Sequence, residues 1–471
     1  EFARCDIRHI LTRHEQSAAH MADGFGRVSR KPGVCFATSG PGATNILTGI
    51  ATAQADSSPM IAVTGQVPVA MIGKDAFQES DIIGMANPVV KYAFQPRLPE
   101  DVPEAVRKGF YIAETGRPGP VLIDVPKDVQ QNEAPMEFPE EFKIQGYHPW
   151  YDPDIVACEK AIDMLLNSEK PIILAGGGTI ISSAFAELQS IAETLMLPVV
   201  TTFKGKGAFP ENHPLSLGPI GMHGHAEANK MMAEADCVLA IGTRFSDRSV
   251  GTFEAFEKRL KIIHMDVDPA EIGKNQTTSL AVVGDVRTSL RVMVKLLLQK
   301  SIKKNEESLW VKHVKETKAY WKENLKLHPG EMGAAKILRK LRELLPKESI
   351  VTTEVGQHQM WASLFYDVIQ PGTFFSSTGL GTMGWGFPAS IGAKVARPDV
   401  PVVDIAGDGS FSMTENSLAT AVLEDIPVIV FVLNNSTLGM VAQWQRTFYD
   451  RRMIGVDQGG CPDYVKLAES Y

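Results

Sequence analysis

The sequence predicts an α/β protein of three successive parallel-sheet domains. The first observation is recurrence. Three times an apolar strand runs into a glycine-rich turn and then a helical pattern, the arrangement by which parallel α/β units place ligand sites at strand ends. The second is length: 471 residues exceed one ordinary core and, at about 100 to 200 residues per domain, suggest two to four. The third is that two stretches without such a pattern separate the units.

In the first unit Val34-Cys35-Phe36-Ala37-Thr38 leads into Ser39-Gly40-Pro41-Gly42-Ala43-Thr44-Asn45. In the second Pro171-Ile172-Ile173-Leu174-Ala175 leads into Gly176-Gly177-Gly178, with further strands expected at residues 237 to 242 and 262 to 266. In the third Val402-Val403-Asp404-Ile405-Ala406 leads into Gly407-Asp408-Gly409-Ser410, and residues 428 to 433 read as the next strand. Residues 130 to 154 are rich in proline, glutamate and aromatic side chains and read as a linker. Residues 299 to 333 are charged and partly helical, with a break at His328-Pro329-Gly330, and read as a second. The expected domains are residues 1–130, 150–300 and 332–471.

Composition narrows the class. A hydrophobic content of 44% with 22% charge is ordinary for a globular chain, and no apolar run reaches the roughly 18 residues of a membrane helix. The net charge of -8, from 47 basic and 55 acidic residues, argues against a nucleic-acid partner. Cys5, Cys35, Cys158, Cys237 and Cys461 are odd in number and scattered, which fits a reducing, cytoplasmic setting better than a disulfide framework. The opening Glu1-Phe2-Ala3-Arg4-Cys5-Asp6 lacks the pattern of a secretory signal. With an abrupt start and a helix expected at residues 464 to 471, the fold reads as truncated at both ends.

Gly407-Asp408-Gly409-Ser410 follows a strand directly, so glycine lets backbone approach a diphosphate while the Asp408 carboxylate offers a hard oxygen to magnesium. Leu433-Asn434-Asn435 closes the next apolar strand. Two adjacent parallel strands joined by a crossover helix would bring Asp408 and the amide oxygen of Asn435 to one edge, where a metal could bridge them to phosphate. This pairing resembles the thiamine-diphosphate motif of the decarboxylase and synthase superfamily. That resemblance implies a glutamate bonded to the cofactor's aminopyrimidine, for which Arg13-His14-Glu15-Gln16 supplies Glu15. Held in an apolar site, Glu15 would have a raised pKa and relay a proton; otherwise it caps or solvates a helix. His14-Glu15 is not a zinc-protease motif, because the next histidine is His20.

Further blocks resemble acetohydroxyacid synthase, also called acetolactate synthase, along nearly the whole chain. They are Arg13-His14-Glu15-Gln16, Thr38-Ser39-Gly40-Pro41-Gly42-Ala43-Thr44-Asn45, Thr64-Gly65-Gln66-Val67 and Asp75-Ala76-Phe77-Gln78-Glu79, then Gly221-Met222-His223-Gly224, Gly379-Leu380-Gly381-Thr382-Met383-Gly384 and Gly439-Met440-Val441-Ala442-Gln443-Trp444-Gln445. The resemblance implies three α/β domains of the thiamine-diphosphate enzyme type: pyrimidine-binding, FAD-binding and diphosphate-binding. It implies a transferase that decarboxylates pyruvate and condenses the remaining two-carbon unit with pyruvate or 2-oxobutyrate, opening valine, leucine and isoleucine synthesis. The implied cofactors are thiamine diphosphate, Mg2+ and FAD. In that family further chain precedes the position of Glu1 and follows that of Tyr471.

Residue roles follow from the same match. Gln78, beside Phe77, would donate to substrate oxygen. Arg248 would hold the second acid's carboxylate, and Trp444 would pack on its alkyl group. Lys127 lies where the family has a lysine at the site's mouth, although a solvated lysine after a strand accounts for it equally well. Met383 would lie under the cofactor, with ordinary core packing as the plain alternative. Val355, Gly439 and Met440 would complete the thiamine diphosphate contacts, and Thr437 would join Asp408 and Asn435 on the metal.

For the middle domain the resemblance implies FAD contacts from Arg117, Met222, His223, Thr243, Arg244, Asp266 and Asp285. The residues alone disfavour a standard dinucleotide fingerprint, since Ile181 stands where its third glycine would be. His223 and His225 form a weak metal signal, and no role is assigned to His225. The implied partners are a second copy in a dimer or tetramer and a possible small regulatory subunit. Two rivals remain: a related decarboxylase, oxidase or carboligase, opposed by Gln78, Arg248 and Trp444 together, and a non-catalytic nucleotide-binding scaffold, opposed by Glu15, Asp408 and Asn435.

Overall fold

Three sheets form in chain order. The computed structural model describes all residues except 1–3, 136, 139–141, 143, 150, 151, 251–259, 304–307, 326, 328 and 461, so Cys461 and His328 lie outside the described residues. The first sheet holds β1 (Gly33–Ala37), β2 (Met60–Gln66), β3 (Tyr92–Phe94) and β4 (Pro120–Pro126), in the order β1-β2-β4-β3, with every pair parallel. The middle sheet holds β5 (Pro171–Ala175), β6 (Val199–Thr201), β7 (Ser216–Pro219), β8 (Cys237–Ile241), β9 (Lys261–Asp266) and β10 (Leu280–Val283). Its order is β10-β9-β8-β5-β6-β7, again parallel. The third holds β11 (Ile350–Thr353), β12 (Phe374–Ser376), β13 (Val402–Gly407) and β14 (Ile429–Leu433), in the order β12-β11-β13-β14.

Strands β4, β5, β8 and β13 are buried along their whole length. That is why they read as continuous apolar runs: a parallel sheet is covered by helices on both faces. Because parallel neighbours need a crossover, each sheet gathers its strand-to-helix turns at one edge. Among the described residues no helix is long and apolar enough to cross a membrane. Cys35, Cys158 and Cys237 are buried free thiols and Cys5 an exposed one.

The chain divides into two units. One comprises residues 1–147, 349–359 and 375–471, and so unites the first sheet with β11, β13 and β14. The other comprises residues 148–348 and 360–374 around the middle sheet. Part of the stretch expected as a second linker belongs to this second unit's core. Ser308 caps the helix Leu309–Asn324, whose buried Trp310, Val311 and Val314 form a narrow apolar stripe in an otherwise charged segment. Trp310 also donates its indole N–H to the Pro171 carbonyl at 3.0 Å. The expected break near Pro329 is a helix start, since Pro329–Leu344 opens on proline, where a missing N–H costs nothing.

In the first unit the helix Glu15–Ser29 packs along Gly386–Ala396, and a buried ion network ties the two regions. Arg27 donates from Nε and Nη2 to the two oxygens of Asp23 at 2.8 and 2.7 Å, and from Nη1 to the Ser376 carbonyl at 2.7 Å. Its Nη2 also lies 3.1 Å from Asp56. Asp56 accepts N–H bonds from Thr378 and Gly379, both at 3.0 Å. The Trp385 indole donates to Asp23 at 2.7 Å and lies under the Arg27 guanidinium at 4.3 Å. Burial opposes Arg27's charge, but Asp23 and Asp56 hold its pKa above the ordinary arginine value. Arg27→Leu would strand two buried carboxylates, at a cost of about 3 to 5 kcal/mol in chemical unfolding; a loss below about 1 kcal/mol would show the network to be dispensable.

Candidate active site

At the first sheet, strand ends and the following turns cluster around Glu15. His14 caps the helix by accepting the Gln16 N–H at its Nδ1, which makes Glu15 the first helical residue. The Asn45 amide, from the turn after β1, donates to Glu15 at 3.0 Å. That bond outweighs partial burial and holds the Glu15 carboxyl below the usual range. The raised pKa expected for an apolar site is therefore absent in the single chain, because Glu15 is only partly covered.

Gln78 lies in a loop against the same turn, its carbonyl 2.9 Å from where a Cβ on Gly40 would sit. Glu79 shapes that loop by accepting the N–H groups of Gly73 and Ala76. Gln78 takes a positive φ of 61°, in the left-handed region that non-glycine residues adopt infrequently. Phe77 beside it is 89% exposed, far more than a packing role requires. Lys127 follows β4 directly and is exposed, and its neighbour Asp128 accepts the Val69 N–H at 3.1 Å. Arg117 instead precedes β4, so it lies at the opposite sheet edge, donating to Ser57 at 2.8 Å.

The third sheet brings the diphosphate candidates together. β13 and β14 are parallel neighbours, with Gly407 opposite Leu433, so Asp408 and Asn434-Asn435 leave adjacent strand ends. Asp408 is buried while Asn435 is exposed. Asn435 accepts the Thr437 N–H at 3.2 Å and donates to Gln357 at 3.4 Å. Gln357 in turn donates to Gln443 at 2.9 Å, linking β14's end to the helix Gly439–Phe448. That helix carries Met440, half-buried, and Trp444, exposed. Ser410 donates to the Val355 carbonyl at 3.3 Å. Met383 is half-buried in the turn before Gly386–Ala396. A carboxylate and an amide oxygen at neighbouring strand ends form a donor set suited to magnesium.

In the middle unit most of the flavin candidates follow strand ends. Met222 and His223 come after β7, Thr243 and Arg244 after β8, Asp266 ends β9, and Asp285 follows β10. Gly221, at φ 107°, has the Arg248 carbonyl 1.9 Å from where its Cβ would be, so only glycine lets the two loops meet. His223 is thus near Arg248, which also lies over Phe203 at 5.3 Å. Burial, then the Arg248 charge, pushes the His223 imidazole down to about 4. Asp266 accepts the Asp268 N–H and Asp285 caps Val286–Gln299, both at 2.9 Å, so each spends an oxygen on local backbone. Gly178 donates to the Gly242 carbonyl at 2.9 Å, so that glycine turn serves loop packing. His225 pairs with Glu227 at 3.4 Å.

The sequence reading gave Asn45 no role and overlooked Glu354, Gln357 and His358. The available signal was a largely polar run, residues 354 to 359, immediately after a buried strand of the same sheet.

Comparison with known proteins sets this geometry in context. Residues 1–85 match the family model "Thiamine pyrophosphate enzyme, N-terminal TPP binding domain", residues 158–293 the central domain of thiamine pyrophosphate enzymes and residues 354–471 their C-terminal TPP binding domain. The chain is 50% identical to a probable acetolactate synthase large subunit of Methanocaldococcus jannaschii, covering 99% of this chain and 80% of that protein. It is 44% identical to an acetolactate synthase large subunit of Cyanidium caldarium, over 99% and 80%. It is 41% identical to the acetolactate synthase isozyme 3 large subunit of Escherichia coli, over 99% and 82%.

His223 binds a proton less readily when folded than when unfolded, so stability falls as pH drops from about 6.5 toward about 4. In His223→Gln this part of the pH dependence disappears. Thermal unfolding between pH 7 and 4.5 checks it, and an identical slope in the variant would contradict the assignment.

Proposed function

Because the chain belongs to the family of acetolactate synthase large subunits, we propose that it takes pyruvate as donor and condenses it with pyruvate or 2-oxobutyrate. It is a thiamine-diphosphate-dependent transferase. The observation that carries this reading is the Gly407–Leu433 pairing, which puts Asp408 next to Asn434-Asn435. Thiamine diphosphate, when bound, supplies the electron sink for decarboxylation.

The chain's own residues then bind, orient and exclude water. Asp408, Asn435 and Thr437 would hold Mg2+ against the diphosphate, with Gly407, Gly409, Ser410, Gly439, Met440 and Val355 around it and Met383 beneath the ring system. Glu15 would share a proton with the aminopyrimidine. It is only partly covered in one chain, which favours a homodimer or tetramer whose second copy dries it and raises its pKa. Gln78 would donate to substrate oxygen, with Phe77 and Lys127 at the mouth. Arg248 would fork onto the acceptor carboxylate, and Trp444 would select its alkyl chain. FAD would sit on Arg117, Met222, His223, Thr243, Arg244, Asp266 and Asp285, in a structural rather than redox role. A small regulatory subunit fits relatives named as large subunits, and free buried thiols fit a cytoplasmic setting.

Incubation with pyruvate, thiamine diphosphate, magnesium and FAD should yield acetolactate, and added 2-oxobutyrate should divert product to acetohydroxybutyrate. Acetaldehyde as the main product would favour a simple decarboxylase instead. Glu15→Gln should lower kcat by about 10²- to 10⁴-fold while leaving diphosphate binding intact. Trp444→Leu should reduce the preference for 2-oxobutyrate by about tenfold or more, read from the product ratio; an unchanged ratio would refute the pocket assignment.

A further inference from the structure

Two acidic side chains meet in the dry interior beneath the third sheet's strand ends. Glu354 follows β11, and Asp404 lies on β13, paired in register with Thr352. Both are fully buried. Their oxygens Oε2 and Oδ1 lie 1.7 and 2.3 Å from the point where a Cβ on Gly386 would sit, so the two are no more than about 4 Å apart, the sum of those distances. Gly386 has to be glycine because the carboxyls occupy its side-chain space.

Among the described residues no lysine or arginine is paired with either carboxyl. His358 approaches Glu354 at 3.9 Å but is fully enclosed, which pushes its imidazole down to about 3, so it is neutral. The Thr352 hydroxyl donates to Asp404 at 3.1 Å. The Gly386 N–H and Ser410 hydroxyl face Glu354, yet neither of its oxygens, nor Asp404 Oδ2, has a well-formed hydrogen bond. Other charges on the packed elements are engaged elsewhere. Arg27 and Asp23 bond each other beside Trp385, Lys394 donates to the Pro398 and Val400 carbonyls past the end of its helix, and Asp408 opens the short helix after β13.

We infer that Glu354 and Asp404 form an acid couple that keeps one shared proton at neutral pH and holds the cofactor's seat together, a positioning role that rests on the thiamine-diphosphate reading above. Two carboxylates this close cannot both ionise in a dry site. Burial raises Glu354 well above its ordinary range and Asp404 to about 8. Three cofactor-facing segments converge here: Val355 adjoins Glu354, Asp404's strand runs into Gly407, and Gly386 follows the turn of Met383. Loss of the shared proton places a second negative charge between them and loosens all three.

The folded couple keeps its proton to higher pH than the unfolded chain, so stability of the cofactor-free protein falls as pH rises from about 4 toward about 8. Glu354→Gln and Asp404→Asn flatten that fall. Thiamine diphosphate affinity with magnesium drops by up to about tenfold per pH unit above the couple's upper pKa in the wild type; in Glu354→Gln it stays flat and within about threefold of the wild-type value at pH 6. Parallel pH profiles in wild type and both variants would overturn the inference. If neither variant folds, infrared titration of the wild type decides: a neutral-carboxyl carbonyl band persisting at pH 7 supports the couple, and its absence overturns it. Failure of the wild type to bind thiamine diphosphate would sink the cofactor reading alone, because the cofactor-free titration still decides the couple.

Discussion

Arg27 is the cation on which the joining of the first and third sheets depends. Its guanidinium satisfies Asp23, Asp56 and the Ser376 carbonyl at once, and Trp385 covers its face. Such a network contributes little over a well-packed apolar substitute, but breaking it from one side leaves charges buried without a partner. It lies where Glu15–Ser29 packs on Gly386–Ala396, beside the apolar contact of Met21 with Phe387 and Ile391. Chain segments more than three hundred residues apart consequently form one unit.

That union matters for function because each sheet collects its chemistry at strand ends. Parallel register decides which side chains become neighbours. Gly407 opposite Leu433 sets Asp408 beside the double asparagine, while Thr352 opposite Asp404 brings Glu354 to the acid couple. The same register sets which residues stand at the strand ends above and which pack below. Around Glu15 the geometry is looser, with Asn45 donating from one side and an exposed Phe77 in the adjacent loop.

Much of this was legible in the sequence. Parallel strands read as unbroken apolar runs because helices cover both faces, and a glycine-rich turn after such a run marks a strand end. The three-sheet architecture and the neighbouring of Asp408 and Asn435 followed from those two rules. Other features were hidden for physical reasons. Trp310, Val311 and Val314 bury one narrow stripe of a charged helix, so average composition concealed a core element inside an apparent linker. The Arg27 network and the Glu354–Asp404 couple join distant residues, and no local pattern announces which buried charge will find which partner. For Glu15 the burial assumed for a relay carboxyl is not supplied by the single chain, and Asn45 lowers its pKa instead of raising it.

The central claim is that adjacent strand ends, Asp408 and Asn435, bind thiamine diphosphate through a divalent cation. Calorimetric titration of the protein with thiamine diphosphate, with and without magnesium, tests it most directly when Asp408→Ala is run in parallel. The account predicts saturable binding by the wild type that requires magnesium and is lost in the variant. Binding of equal strength without magnesium, or undiminished in Asp408→Ala, would contradict it.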